Sequence, residues 1–158
     1  MHPLDPAIAV TEQMRKALED EVAASQNQRK LIGALDADAL IARAARRAEF
    51  NLRLATLHQS LASALRAGGD AMGLGEVTLA ALAARAPLEA RRLGRAFAAL
   101  RTLGEALRRL DLLNHLLAER ALVSVRSYLG ALAPTPVAYD RRGAATSTTA
   151  LITASRIV

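Results

Sequence analysis

The apolar positions of this chain recur with the spacing of an α-helix over most of its length. They follow three- and four-residue steps from Pro6 to about Leu35, from about Ala37 to Ala67, and from Leu88 to Ala133. Because an α-helix turns by about 100° per residue, this spacing places one apolar stripe along each segment. The sequence therefore predicts three long helices.

Short polar or glycine-rich stretches separate these helices. The acidic stretch 36–38 predicts a stop and restart, because an Asp side chain can accept hydrogen bonds from the N–H groups that start a helix. Four glycines in the stretch 67–75 predict a mobile connection, since glycine is costly inside a helix. A short extra helix is expected over 76–85, and Pro87 separates it from the last long helix.

The chain after the last helix has a different composition. Pro134 and Pro136 end the helix, and the residues that follow are rich in Ala, Ser, Thr and Gly and have no helical stripe. We therefore expect an all-α protein, an elongated antiparallel bundle of three long helices with a short extra helix. The bundle domain is expected to span residues 1–133, and a flexible C-terminal tail to span 134–158.

The last long helix is apolar on two sides. One stripe is expected to face the bundle and comprises Leu100, Leu103, Leu107, Leu110, Asn114, Leu117, Ala121, Val125, Tyr128 and Leu132. Leu112, Leu116 and Val123 point to nearly the opposite side, among charged residues. A helix packed only within its own bundle does not need apolar residues there, so these three predict a surface for another protein. A homodimer or a larger bundle would give the same pattern.

Polar residues interrupt the apolar stripes at three places. Asn114 lies on the bundle-facing stripe, where a buried and paired Asn can fix the register between helices. The polar stretch 25–30 predicts an exposed, loosely packed helix end. Arg43, Arg46 and Arg47 interrupt the second helix and are expected to be solvated.

No residue pattern points to an enzyme. The chain has no Cys, which excludes disulfides, thiol catalysis and Cys-ligated metals. Asp111, His115 and Glu119 share one flank of the last helix, but this four-residue spacing more often gives solvated contacts than a metal site. Neither a nucleophile elbow nor a phosphate-binding loop occurs. We expect a protein without catalytic residues, metal or cofactor.

The chain is basic, with a net charge of +6 carried almost entirely by Arg. A positive net charge is typical of proteins that bind nucleic acid or a membrane surface. Acidic residues are interspersed throughout, however, and two Phe and two Tyr offer little for base stacking. There is no signal peptide pattern and no uncharged apolar run of the roughly 20 residues that span a bilayer. We therefore expect neither nucleic-acid binding nor membrane insertion.

The residues from 107 to 117 read Leu-Arg-Arg-Leu-Asp-Leu-Leu-Asn-His-Leu-Leu, and Tyr139-Asp-Arg-Arg-Gly follows the proline break. This segment resembles the C-terminal half of FlgN-type flagellar export chaperones. Those proteins carry a Leu-x-x-Asn-x-x-Asn-x-x-Leu pattern in the last long helix and a Tyr-Gly-x-x-Gly-like element after it. Asn114 and Leu117 match the second Asn and the following Leu. Asp111 stands in place of the first Asn, and the residue after Tyr139 is Asp140 instead of Gly.

The resemblance implies a cytoplasmic chaperone of flagellar type III export. Such proteins bind the C-terminal helical segments of hook–filament junction proteins, prevent their early assembly and deliver them to the export gate. An outward apolar row suits an amphipathic helix, and an aromatic ring in a tail suits a docking contact. The residues expected to bind partners are Leu112, Leu113, Asn114, Leu116, Leu117, Val123 and Tyr139.

Two other functions fit the same residues. The first is a self-associating structural protein, a coiled coil or helical bundle in which the outward leucines form a dimer seam. The second is a basic helical protein associated with nucleic acid, which would show a steep dependence of binding on salt.

Overall fold

The computed structural model describes residues 2–132, 138–139 and 145–146. Its contacts divide the chain into two units, Met1–Ala121 and Leu122–Val158. In chain order the elements are α1 (Asp5–Ala34), α2 (Ala37–Ala71), α3 (Leu79–Arg85), α4 (Pro87–Leu132), β1 (Ala138–Tyr139) and β2 (Ala145–Thr146). The all-α class predicted from the sequence is confirmed. No helix among the described residues is long and apolar enough to cross a membrane.

The second unit contains the end of α4 and the two short strands. The strands are antiparallel, with Ala138 opposite Thr146 and Tyr139 opposite Ala145. The expectation of a flexible tail over 134–158 otherwise falls on residues outside the described part of the chain.

Local chemistry fixes the turn between α1 and α2. Leu35 adopts a left-handed backbone conformation (φ 54°), and its N–H donates to the carbonyl oxygen of Ile32 across 3.1 Å. The N–H of Asp36 donates to the carbonyl oxygen of Leu31, which completes a Schellman motif. Asp36 Oδ1 then accepts from the N–H of Ala39 across 3.0 Å, so the predicted restart at the acidic stretch is confirmed.

The start of α1 has no side-chain cap, although Asp5 precedes Pro6 at a position where an Asp could act as one. Asp5 is the first residue of the helix, and the preceding Leu4 offers no side-chain cap. The Asp5 carboxylate instead accepts a hydrogen bond from the backbone N–H of His2 across 2.7 Å. It therefore ties the first residues of the chain to the first turn of α1.

The expectation of a mobile break at 67–75 is wrong for its first half, because α2 continues through Gly68 and Gly69 to Ala71. Both glycines are buried, and a Cβ at Gly68 would lie 2.8 Å from Leu4 Cδ2 and 3.0 Å from the carbonyl oxygen of Pro3. A Cβ at Gly69 would overlap the Val77 side chain. These glycines allow close packing, and that packing offsets their cost within a helix.

The apolar core of the first unit is concentrated toward one end. It joins the start of α1, the second half of α2, α3 and the start of α4, and its buried members are Leu4, Ala7, Met14, Leu57, Leu61, Leu82, Ala86, Ala90 and Leu93. Leu4 and Leu93 are fully buried. Farther along α1 and α4, the buried residues include the polar side chains of Glu21, Ser25 and Asn114 as well as apolar ones. The candidate site lies in this mixed environment.

Candidate partner-binding surface

A buried polar contact holds α4 against α1 directly beneath the predicted surface. Asn114 is 3% exposed, and its side-chain Nδ2 donates to the backbone carbonyl oxygen of Ser25 across 2.8 Å. One turn earlier on α4, the Asp111 carboxylate accepts a hydrogen bond from Arg47 Nη2 of α2 across 2.7 Å. These two contacts set the rotation of α4 about its axis, so the opposite side of the helix is turned outward.

Glu21 of α1 is the centre of this polar cluster. Its carboxylate pairs with the guanidinium groups of Arg43 and Arg47, the latter across 2.7 Å, and Arg43 also donates to Ser25 Oγ across 3.1 Å. Glu21 and Arg43 are each 6% exposed. A buried charge requires a partner of opposite sign, and each of these residues supplies one for the other.

The cluster corrects two expectations from the sequence. Arg43 is buried and Arg47 is half-buried, whereas both were expected to be solvated; Arg46 is exposed as expected. Ser25 is fully buried, so the stretch 25–30 does not begin as an exposed helix end. The missed signal is Glu21, an acid on the apolar stripe of α1, because its burial requires cationic partners from elsewhere in the chain.

The predicted outward row is exposed. Leu112 and Val123 are 60% and 61% exposed, and Leu116 is 45% exposed. Leu113 and Leu117 beside them are 45% and 38% exposed. Large apolar side chains therefore lie on the surface of α4 immediately above its polar contacts, without a cover among the described residues.

The bundle-facing stripe is confirmed for only part of its length. Leu107 is buried and Leu103 and Leu110 are half-buried, but Tyr128 and Leu132 are 68% and 64% exposed. Tyr128 and Leu132 belong to the second unit of the chain. Sequence periodicity predicts which side of a helix is apolar but does not predict how much of that side is covered.

The family model described as FlgN protein matches residues 5–147 of the chain. The chain belongs to the FlgN family. This membership implies the role of a flagellar export chaperone, a protein that binds flagellar substrate proteins. The FlgN family is a family of chaperones rather than of enzymes. No similar protein of curated function and no similar solved structure was found.

The residues that match the FlgN-type pattern occupy different environments. Leu117 is exposed, but Asn114 is buried and its amide is engaged by Ser25. Asn114 was included among the expected partner-binding residues; in this structure it lies beneath the surface, and its position matches the register role that a buried Asn was expected to play. Asp111, which replaces the first Asn of the pattern, serves the same purpose through its ion pair with Arg47.

Tyr139, the aromatic residue of the second FlgN-type element, lies in β1 opposite Ala145. It belongs to the second unit, as does Val123. The surface whose geometry the structure describes in the first unit therefore consists of Leu112, Leu113, Leu116 and Leu117.

The polar flank of α4 consists of ordinary charged contacts. Asp111 is paired with Arg47, and His115 Nε2 lies 3.3 Å from Glu119 Oε1. Within the described residues, no three His, Cys, Asp or Glu side chains converge in a way that could hold a metal ion. The exposed leucines are the feature that distinguishes this part of the molecule.

Proposed function

We propose that this FlgN-family protein is a cytoplasmic chaperone for hook–filament junction proteins. It binds their C-terminal helical segments, prevents them from assembling early and delivers them to the flagellar export gate. The observation that carries the proposal is the exposed row of Leu112 and Leu116 on α4. An amphipathic helix that lies on this row buries apolar surface on both partners, which is the general mode of helix-in-groove recognition.

The polar contacts beneath the row support this assignment. Asn114 and Asp111 hold α4 from its inner side, so the leucines are presented in a fixed orientation before any client arrives. A preformed surface lowers the ordering cost that the chaperone itself contributes to binding. The client segment still loses conformational freedom when it folds onto the surface, so the affinity stays moderate and release remains easy.

The direct test replaces both leucines by acid. We expect Leu112→Glu with Leu116→Glu to weaken binding of a junction-protein C-terminal peptide at least about 100-fold, because two charges would then face the apolar side of the client. The helix content measured by circular dichroism should not change, since both side chains are exposed. Binding is measured by isothermal titration calorimetry with the full chain.

A matched control is available on α2. Ile41 and Leu52 are 69% and 72% exposed and lie outside the proposed surface. Ile41→Glu with Leu52→Glu adds the same two charges, and we expect it to leave peptide binding within about twofold of the original. Normal binding by the Leu112 and Leu116 variant, or equal loss in both variants, would contradict the proposed surface.

Delivery to the export gate requires a second contact, which we assign to Tyr139. An aromatic side chain has a large apolar body and a polar tip, and is therefore well suited to anchor a transient interface. This assignment rests on the match between Tyr139 and the FlgN-type element. Its separation from the α4 leucines along the chain would let client binding and docking take place on different segments.

Self-association through the same leucines is the competing interpretation. It predicts a stable dimer by sedimentation velocity, and it predicts that the client peptide and the second copy exclude each other. A chain that sediments as a monomer and gains mass only with the client peptide supports the chaperone assignment.

A further inference from the structure

The apolar surface of α4 has a basic border at its N-terminal end. Arg108 and Arg109 are exposed and precede Leu112 by four and three residues. With about 100° of rotation per residue, both lie within about 60° of Leu112 around the helix axis. Their guanidinium groups are therefore close to any segment that rests on Leu112 and Leu116.

These two arginines have no acidic partner in the described part of the chain, where neither forms an ion pair within 4.0 Å. The acids closest to them on α4 are Glu105 and Asp111, and Asp111 is already paired with Arg47. At the other end of the leucine group, Glu119 contacts His115. Within the described residues, the positive charge next to Leu112 is thus not neutralised by an ion pair.

We propose that the segment bound by this surface is an amphipathic helix whose apolar stripe is flanked by Asp or Glu side chains, which face Arg108 and Arg109. This inference rests on the proposed function and adds the chemical character of the client. Acidic flanks are attracted to the arginines, and basic flanks are repelled by them. Among helices of equal hydrophobicity, the border therefore favours binding of those with acidic flanks. Because the unpaired arginines lie at one end of the leucine group, they also favour one direction of the bound helix.

The probes are two synthetic helical peptides of equal length with the same apolar stripe, one flanked by Glu and the other by Lys. Binding to the full chain is followed by fluorescence anisotropy at about 50 mM and about 300 mM NaCl, since salt screens exposed charges. We expect the Glu-flanked peptide to bind about tenfold more tightly than the Lys-flanked one at the lower salt, as a few exposed ion pairs would provide. This preference should shrink at the higher salt.

The chain offers a matched pair of variants for this test. Arg108→Gln with Arg109→Gln should reduce the preference to within about threefold. Arg91→Gln with Arg92→Gln removes the same net charge from another exposed arginine pair of α4 and should retain the preference. Equal loss in the two variants would show that overall charge, and not this border, sets the preference, and would overturn the inference.

Other outcomes separate this inference from the proposed function. Equal binding of the two peptides, tighter binding of the Lys-flanked peptide, or no binding of either would overturn the acidic-client inference. The proposed function would still stand if the Leu112 and Leu116 variant loses the junction-protein peptide. A single-stranded oligonucleotide that binds as tightly as the Glu-flanked peptide and depends on Arg108 and Arg109 would assign the border to nucleic acid and overturn the inference as well.

Discussion

The side chain of Asn114 in α4 donates a hydrogen bond to the backbone carbonyl oxygen of Ser25 in α1, across 2.8 Å. Both residues are buried, and no residue in the described part of the chain donates a hydrogen bond to Asn114 Oδ1. The contact therefore uses the amide group as a donor only. It places the outer side of α4 in the orientation that exposes Leu112 and Leu116.

Replacement of the donor by a carboxyl group tests this contact. We expect Asn114→Asp to lower the free energy of unfolding by about 2–3 kcal/mol near pH 7, where a carboxylate would face a carbonyl oxygen. The loss should be smaller near pH 4, because a protonated carboxyl group can donate to Ser25 as the amide does. Urea unfolding of both proteins at the two pH values measures the difference.

The control for this variant is Asn51→Asp on the exposed side of α2. It introduces the same charge in water and should change the free energy of unfolding by less than about 0.5 kcal/mol at either pH. An Asn114→Asp cost that does not depend on pH would contradict the donor role of Asn114.

Removal of the Glu21 charge should be far more damaging than removal of the Asp111 charge. Glu21→Gln leaves the buried guanidinium of Arg43 without its counter-charge, and we expect a loss of about 3–5 kcal/mol in the free energy of unfolding. Asp111→Asn affects an ion pair whose acidic side chain is 44% exposed, so its cost should stay below about 1 kcal/mol. Chemical denaturation of the two variants side by side checks the ranking; similar costs would contradict the assigned burial.

Replacement of two helical glycines by Ala should change the free energy of unfolding in opposite directions. We expect Gly68→Ala to lower the free energy of unfolding by about 1–3 kcal/mol, because its Cβ would meet Leu4 and the Pro3 backbone. Gly104 of α4 has open space at its Cβ position, so Gly104→Ala should raise the free energy of unfolding by about 0.5–1 kcal/mol. Thermal melts measure the difference, and a stabilised Gly68 variant would show that the close approach of Pro3 and Leu4 to α2 is not required.

If Tyr139 docks to the export gate, its loss should reduce export but leave client binding unchanged. Tyr139→Ala should leave the affinity for the junction-protein peptide within about twofold, whereas secretion of the junction protein into the medium should fall roughly tenfold. Tyr128→Ala removes an exposed tyrosine from α4 and serves as the control for loss of an aromatic ring. Export at the normal level in the Tyr139 variant would remove its proposed role.

The sequence predicts most helix boundaries because local chemistry sets them. Asp36 caps α2, and Pro87 begins α4 within one residue of the expected start. Gly68 shows the limit of such reasoning: its cost within a helix is local, but the compensating contact with Leu4 comes from residues more than sixty positions away. The sequence of α2 alone therefore does not predict that Gly68 is tolerated within the helix.

The same distinction holds for the candidate site. The exposure of Leu112 and Leu116 is predicted by helical periodicity, since they lie opposite an apolar stripe on a single helix. The burial of Arg43 is not predicted, because it depends on Glu21 of a neighbouring helix. Polar residues on an apolar stripe, such as Glu21 and Asn114, are the sequence signal for such clusters, but their partners are known only once the helices are placed.

The uneven distribution of apolar burial along α4 has a consequence for motion. Amide protons near Leu93, which is fully buried, should exchange with solvent only when the whole bundle opens. Those near Leu112 and Leu116 are held by a few polar contacts and should exchange through smaller local openings. The part of α4 that carries the proposed client surface would then open locally while the core around Leu93 stays closed.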